Sequence, residues 1–301
     1  MAEHRGPAVR PRSWLFVPGD SERKLAKGLA SEADALILDL EDSVAPANLP
    51  AARALVAAAL RAHNGPRLWV RINALSSPFA LADLASVVPA APAGIMLPKA
   101  DGAGDAVRLG HYLSALEVAA GLAEGGIRIA VVATETPAAL FALGSYAPPP
   151  PRLAALTWGA EDLAAALGAS ANREADGSYA APYQLARTLC LAAAAAAEVD
   201  PVDTVFTDFR DAKGLLHEAR AARRAGYSGK LAIHPDQVGP INDAFTPDAA
   251  EVAHAERIVA AFAANPGLGT VGLEGRMVDR PHLKQAERIL AAARRPSSGA
   301  S

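Results

Sequence analysis

Carboxylates recur at one kind of position in this chain, directly after a short apolar run. Asp39, Glu41 and Asp42 close ALILDLED, Glu135 follows IRIAVVAT, Asp162 follows LAALTWGAE, and Asp20 follows WLFVPG. Gathered near one another, such charges repel unless a cation neutralises them. Oxygen ligands from a pair of carboxylates, with water and substrate completing an octahedron, describe a Mg²⁺ or Mn²⁺ site. Glu135 and Asp162 are the best pair, because they end consecutive runs. Each also has a plainer reading. Asp162 opens DLAAALG and can cap that helix, and Glu135, just before Pro137, can favour the dipole of the helix beginning there.

Cations stand at the same kind of position. Arg71 closes RLWVRI, where a guanidinium is costly to desolvate unless it faces an anion, and its planar fork suits a carboxylate. A structural ion pair with Glu41 or Asp42 is the alternative. Lys99, after GIMLP, invites comparison with Schiff-base lysines, but acidic neighbours would keep it protonated, so an electrostatic role is expected. Asp39, Glu41, Asp42 and Lys99 are expected to stand behind the metal pair, positioning metal-bound waters and Arg71. His234 in IHP is either a general base or a structural donor.

Such an array needs a scaffold that ends many strands at one mouth. Apolar runs occur at 14–18, 35–40, 68–72, 94–98, 127–133, 153–158, 203–207 and 230–233, separated by Ala/Leu-rich helical segments such as 21–33, 49–63, 106–124 and 181–197. Near-continuous hydrophobicity is what burial on both faces asks of parallel strands. The alternation predicts an α/β fold, a (β/α)8 TIM barrel over 12–240, whose strand C-termini carry the active site. A doubly wound sheet is the runner-up, but no G-x-G-x-x-G follows the first run. Beyond the barrel, 241–293 reads as a C-terminal helical lid. It comprises a helix near 248–264, a Gly-rich turn around 265–275 and a last helix near 281–293. The polar ends 1–11 and 294–301 are expected to fray.

Composition removes several classes of function. With 29 Lys+Arg against 32 Asp+Glu in 301 residues, the chain lacks the basic excess of a nucleic-acid binder. One cysteine, Cys190, allows neither an internal disulfide nor a multi-Cys metal site, and points to the cytoplasm. The start has no apolar export core, and no run approaches the ~20 apolar residues that span a bilayer.

RSWLFVPGD, DALILDLEDSV, RLWVRIN, GIMLPKA, TETPAAL, WGAEDLAAALG, VFTDFRD and LAIHPDQV together resemble the citrate lyase β-subunit-like family of the HpcH/HpaI aldolase superfamily. AFTPDAAEVAHAERIVAAF and GRMVDRPHLKQAERIL resemble the lid region of its citramalyl-CoA and malyl-CoA lyases. The resemblance implies a TIM barrel that cleaves a 3-hydroxyacyl-CoA into acyl-CoA and a 2-oxo acid by a retro-Claisen step, with Mg²⁺. It implies Glu135 and Asp162 as metal ligands and Arg71 as binder of the 2-oxo acid carboxylate. Asp279 becomes the lid residue that handles the proton of the acyl-CoA carbon, donated to a neighbouring subunit of a homotrimer. Asp279 can equally be the N-cap of the last helix. Arg12, Arg23, Lys24 and Lys27 are candidates for the CoA phosphates, or a solvated face. Citryl-thioester cleavage, malyl-CoA hydrolysis, a class II aldolase acting without CoA, and a non-catalytic CoA- or acyl-carrier-binding subunit remain alternatives.

Overall fold

A computed structural model describes residues 10–63 and 67–293. The expected fraying at 1–9 and 294–301 lies outside the described residues. The chain divides into two compact units, 11–242 and a second made of 243–293 with Arg10 among the described residues.

In the first unit eight parallel strands close on themselves in sequence order. They are β1 (Ser13–Pro18), β2 (Ala35–Asp39), β3 (Leu68–Arg71), β4 (Gly94–Leu97), β5 (Arg128–Val132), β6 (Leu153–Thr157), β7 (Asp200–Asp203) and β8 (Gly229–Ala232). The ring shuts where Trp14 of β1 pairs with Leu231 of β8. The outer helices are α1 (Glu22–Leu29), α2 (Leu49–Ala62), α3 (Ala80–Val87), α4 (Ala103–Ala119), α5 (Pro137–Ala142), α6 (Glu161–Leu167), α7 (Ala181–Ala196) and α8 (Ala212–Ala225). The (β/α)8 barrel read from the periodicity is therefore the observed architecture.

Period-two alternation decides what fills the interior. Trp14, Ile37, Trp69, Met96, Val132, Val202 and Leu231 point inward among the small Ala35, Ala130 and Ala155. Trp14 and Trp69 meet with ring centroids 5.0 Å apart. A Cβ on Gly94 would lie 2.1 Å from Trp69, so the absence of a side chain there makes room for the indole. Two residues past Ile37 and Trp69, on the same inward face, stand Asp39 and Arg71 at the C-terminal mouth.

One strand lies elsewhere than its apolar run indicated. The seventh is Asp200–Asp203 rather than 203–207, because its polar residues are paired within the fold. Buried Asp203 accepts from Lys230 Nζ at 2.9 Å, Trp158 Nε1 at 2.8 Å and Arg187 Nε at 3.0 Å. Asp208, read as the end of this strand, is exposed in the loop beyond it.

Helix α9 (Val238–Phe245) crosses the boundary between the units, and α10 (Ala249–Ala263) and α11 (Arg280–Ala293) form most of the second. Asp248 caps α10 through a capping box with Glu251. The segment read as a Gly-rich turn is a hairpin, β9 (Thr270–Leu273) with β10 (Arg276–Asp279). Its two-residue turn has Glu274 at φ 50° and Gly275 at φ 77°, the pairing of positive angles that matches strand twist. Ala255, Ile258, Phe262, Val271, Val278 and Ala286 make this unit's core.

Candidate active site

Five carboxylates and two cations meet at the strand ends β2 to β6. Arg71 and Asp39 face each other fork to fork, with Nε to Oδ1 and Nη2 to Oδ2 both at 2.7 Å. Asp39 also accepts the main-chain N–H groups of Glu41 at 3.0 Å and Ser43 at 3.2 Å. Burial pushes the Asp39 carboxyl up, but the Arg71 charge and these hydrogen bonds outweigh it and hold the group below the usual carboxylate range. Arg71 Nη1 turns to Glu41 Oε2 at 3.1 Å and Asp42 Oδ2 at 3.3 Å, while the guanidinium lies 4.6 Å above the Phe16 ring. Burial opposes that charge, yet the surrounding carboxylates hold Arg71 firmly protonated.

In the second half of the site four carboxylates share the Lys99 ammonium and main-chain N–H. Glu135, 5% exposed, accepts one hydrogen bond, from the Lys99 main-chain N–H at 2.6 Å. Burial first, then the nearby charges of Asp162 and Glu41, push its carboxyl up to about 8. Glu41 is raised to about 6, chiefly by burial, against the pull of Arg71 and Lys99. The Lys99 ammonium donates to Glu41 and stands 3.3 Å from Asp42 Oδ1 and 3.6 Å from Asp162 Oδ1. Partial burial pulls its pKa down, but the Glu41 hydrogen bond and charge, then Glu135 and Asp42, raise it, so the amine is a poor nucleophile.

Neither Glu135 nor Asp162 occupies the N-cap of its helix. The N-cap of α5 is Thr136, whose hydroxyl accepts from Ala139 N at 3.1 Å, and the N-cap position of α6 is Ala160. Asp162 stands in the first turn of α6, and Glu135 directly precedes the Thr136 cap. Among the described residues no group of three or more His, Cys, Asp or Glu side chains forms a metal cage. A divalent oxygen-seeking cation fits what is present, because Mg²⁺ keeps several waters and needs few carboxylates. Glu135, buried and facing other negative groups, is the observation that asks for one.

Some supporting residues escaped the sequence reading. Phe16 backs Arg71, and Thr134 Oγ1 accepts from Gly159 N at 3.1 Å, tying the β5 and β6 ends together. Gly159 leaves room for Glu135, since a Cβ there would fall 2.8 Å from Glu135 Cγ. Its place directly after Trp158 in WGAED was the available signal. His234 caps the turn after β8, accepting from Asp236 N at 3.3 Å, and stacks on Phe209 at 5.0 Å, which is the structural role.

The basic candidates divide. Arg23, Lys24 and Lys27 are exposed on α1, which follows the C-terminal end of β1. Arg12 corrects the expectation that placed it with them. It precedes β1, at the opposite end of the strand, and is held by Asp34 through Nε at 2.8 Å and Nη2 at 2.9 Å. Its preference for that fixed carboxylate follows from the fork geometry.

In the second unit Asp279 ends β10 immediately before α11. Its Oδ1 lies 2.5 Å from His282 Nδ1 and accepts from His282 N at 3.4 Å. Capping does not bury it, because the side chain stays 42% exposed. The His282 hydrogen bond holds its carboxyl below the usual range.

The family model described as HpcH/HpaI aldolase/citrate lyase matches residues 12–235. The citrate lyase subunit beta-like protein of Mycobacterium tuberculosis is 38% identical over 283 residues, covering 93% of this chain and 94% of that protein. The L-malyl-CoA/beta-methylmalyl-CoA lyase of Cereibacter sphaeroides is 34% identical over 307 residues, covering 95% and 96%. Among solved structures, M. tuberculosis protein CitE in complex with magnesium, acetoacetate and coenzyme A superposes with a TM-score of 0.78. It is 36% identical, over 95% of this chain and 98% of that one.

Proposed function

The chain belongs to the HpcH/HpaI aldolase/citrate lyase family, and from that premise we propose that this carbon–carbon lyase cleaves a 3-hydroxyacyl-CoA of the malyl, methylmalyl or citramalyl type into an acyl-CoA and a 2-oxo acid. The observation that carries the reading is the Glu135–Asp162 pair, in which Glu135 is buried beside other carboxylates and neither residue is its helix's N-cap. Magnesium, present in the related CitE complex, would be held by these two carboxylates and would polarise the substrate's hydroxyl and carboxylate oxygens.

The chain's own residues divide the remaining work. Arg71 binds the carboxylate of the departing 2-oxo acid, and Asp39 keeps its fork from turning. Lys99 and Glu41 hold the charge balance beside the metal pair. Loss of the substrate's hydroxyl proton to solvent drives cleavage and leaves negative charge at the acyl-CoA α-carbon. Asp279 in its protonated form gives a proton there, and in condensation its carboxylate removes one. Its ionised resting form, favoured by His282, suits the second role directly. Asp279 reaches the site of a neighbouring subunit in a homotrimer, with residues 241–293 as the lid. Arg23, Lys24 and Lys27 are positioned to attract the CoA phosphates. Among the described residues no helix is long and apolar enough to cross a membrane, and the lone Cys190 is in keeping with a cytoplasmic protein.

A second reading, a subunit that works only within a larger lyase complex, draws on the M. tuberculosis relative named as subunit beta-like. Mass spectrometry of products from a panel of hydroxyacyl-CoA thioesters with added Mg²⁺ separates the two. Acyl-CoA together with a 2-oxo acid from the purified chain is the expected result. Free CoA with the intact hydroxy acid would mean hydrolysis instead, and an inert chain would favour the subunit.

A further inference from the structure

Lys99 follows β4 with φ 50°, in the left-handed region that a residue with a Cβ occupies at a cost. Two contacts come from that turn. The main-chain N–H meets Glu135 Oε2 at 2.6 Å, and the side chain crosses the mouth to Glu41, Asp42 and Asp162. One residue thus touches both members of the metal pair through different atoms. Arg71 cannot take over at Asp162, because its Nε and Nη2 edge is given to Asp39 and its Nη1 goes to Glu41 and Asp42. Among the described residues, the Lys99 ammonium is the cation that stands within ion-pair distance of Asp162.

We propose that Lys99 is a positioning residue with two separable duties: its main chain orients Glu135, and its ammonium neutralises Asp162 until a divalent cation displaces it. The inference rests on the Glu135–Asp162 reading of the metal site. Two cations at one carboxylate repel, so the ammonium must yield as the metal arrives. Glu41 and Asp42 are already within its reach and receive it without new burial. Lysine suits such a task because it carries a compact charge on a flexible stem, whereas the Arg71 fork is pinned.

Calorimetric titration of Mg²⁺ into the full-length, substrate-free protein tests this. Lys99→Met removes the ammonium while keeping the unbranched stem and the main-chain N–H. Mg²⁺ should then bind roughly tenfold tighter, since a nearby like charge has gone. Lys99→Gln is the second variant should the first fold poorly, with the same expected direction. A merely structural lysine would leave affinity unchanged or weaken it, and that result would overturn the inference while sparing the metal pair. Failure of the unmutated protein to bind Mg²⁺ would overturn it together with the reading on which it rests.

Discussion

Arg71 and Asp39 are direct neighbours in the register between β3 and β2, both facing into the barrel mouth, and they close a two-bond fork with each contact at 2.7 Å. The direction of the Arg71 fork is thus set by the strand that precedes it. Replacing Asp39 by Ala would leave a buried guanidinium beside two less well-placed acids. Breaking such a pair should cost about 3–5 kcal/mol of stability. Arg71→Lys should fold but lose the bidentate geometry, lowering kcat/KM by roughly 100-fold, a loss of about 2.7 kcal/mol in transition-state binding. Thermal melts with steady-state kinetics on both variants check this, and an Arg71→Lys enzyme with normal kcat/KM would remove Arg71 from substrate binding.

Mg²⁺ affinity should depend on pH through Glu135. A carboxyl raised to about 8 in the folded protein holds its proton through neutrality, and that proton competes with the cation. Each unit of pH below 8 should therefore weaken Mg²⁺ binding by about tenfold. The sign for stability follows the same shift. Without metal, the folded state binds this proton more tightly than the unfolded chain, so stability is lost as pH rises from about 4.5 toward 8. Added Mg²⁺ should restore Tm most at the upper end of that window. Glu135→Gln should abolish both the pH dependence and the metal response.

Gly159→Ala should act on the metal pair without touching a charge. The new methyl would fall 2.8 Å from Glu135 Cγ and 3.2 Å from its Oε1. Overpacking of this kind costs about 1–3 kcal/mol and forces the carboxylate to shift. Weaker Mg²⁺ binding by calorimetry, beside a lowered Tm, is expected. Unchanged Mg²⁺ affinity would mean that Glu135 is not a ligand.

Asp279→Asn should separate chemistry from folding, because the residue is exposed. Loss of a proton-transfer group should lower kcat by roughly 10²–10⁴-fold, with Tm little changed. Hydrogen–deuterium exchange at the acyl-CoA α-carbon should fall in parallel. Mixing Asp279→Asn with Glu135→Gln subunits tests the shared site: partial recovery of activity is expected if Asp279 serves a neighbour's barrel. No recovery after subunit exchange would confine Asp279 to its own subunit.

The buried Lys230 offers a control remote from the proposed chemistry. Its ammonium meets Asp203 Oδ2, Glu218 Oε1 and the Thr204 carbonyl at 2.9, 2.9 and 2.8 Å. Lys230→Met takes the ammonium from Asp203, which keeps Arg187 and Trp158, and from Glu218, which keeps Arg173, so it should cost about 1–3 kcal/mol, while Mg²⁺ affinity in the folded fraction stays normal. Urea titration and calorimetry on the same preparation measure the two effects separately.

Much of the scaffold is legible from hydrophobicity because barrel strands are buried on both faces, and their apolar runs coincide with seven of the strands to within a residue or so. The seventh was misplaced for a definite reason. Asp203 is fully buried, and partners from α7, β8 and the end of β6 pay for its charge; none of them is local in sequence. The β9–β10 hairpin was hidden in the same way, since its apolar face is completed by α10 and α11.

Residue types at the strand ends determined by themselves that carboxylates, an arginine and a lysine would gather at one mouth, since closing a barrel brings every strand terminus there. Helix-start patterns left Glu135 and Asp162 ambiguous between capping and metal binding. Only the folded chain showed that the cap positions belong to Thr136 and Ala160. Tertiary structure also decided that Arg71 answers first to Asp39, that Arg12 belongs to Asp34 at the other end of β1, and that Lys99 touches both Glu135 and Asp162. Those choices depend on register, backbone angle and burial. Composition can supply the charges, but which of them meet is fixed by geometry over a few ångströms.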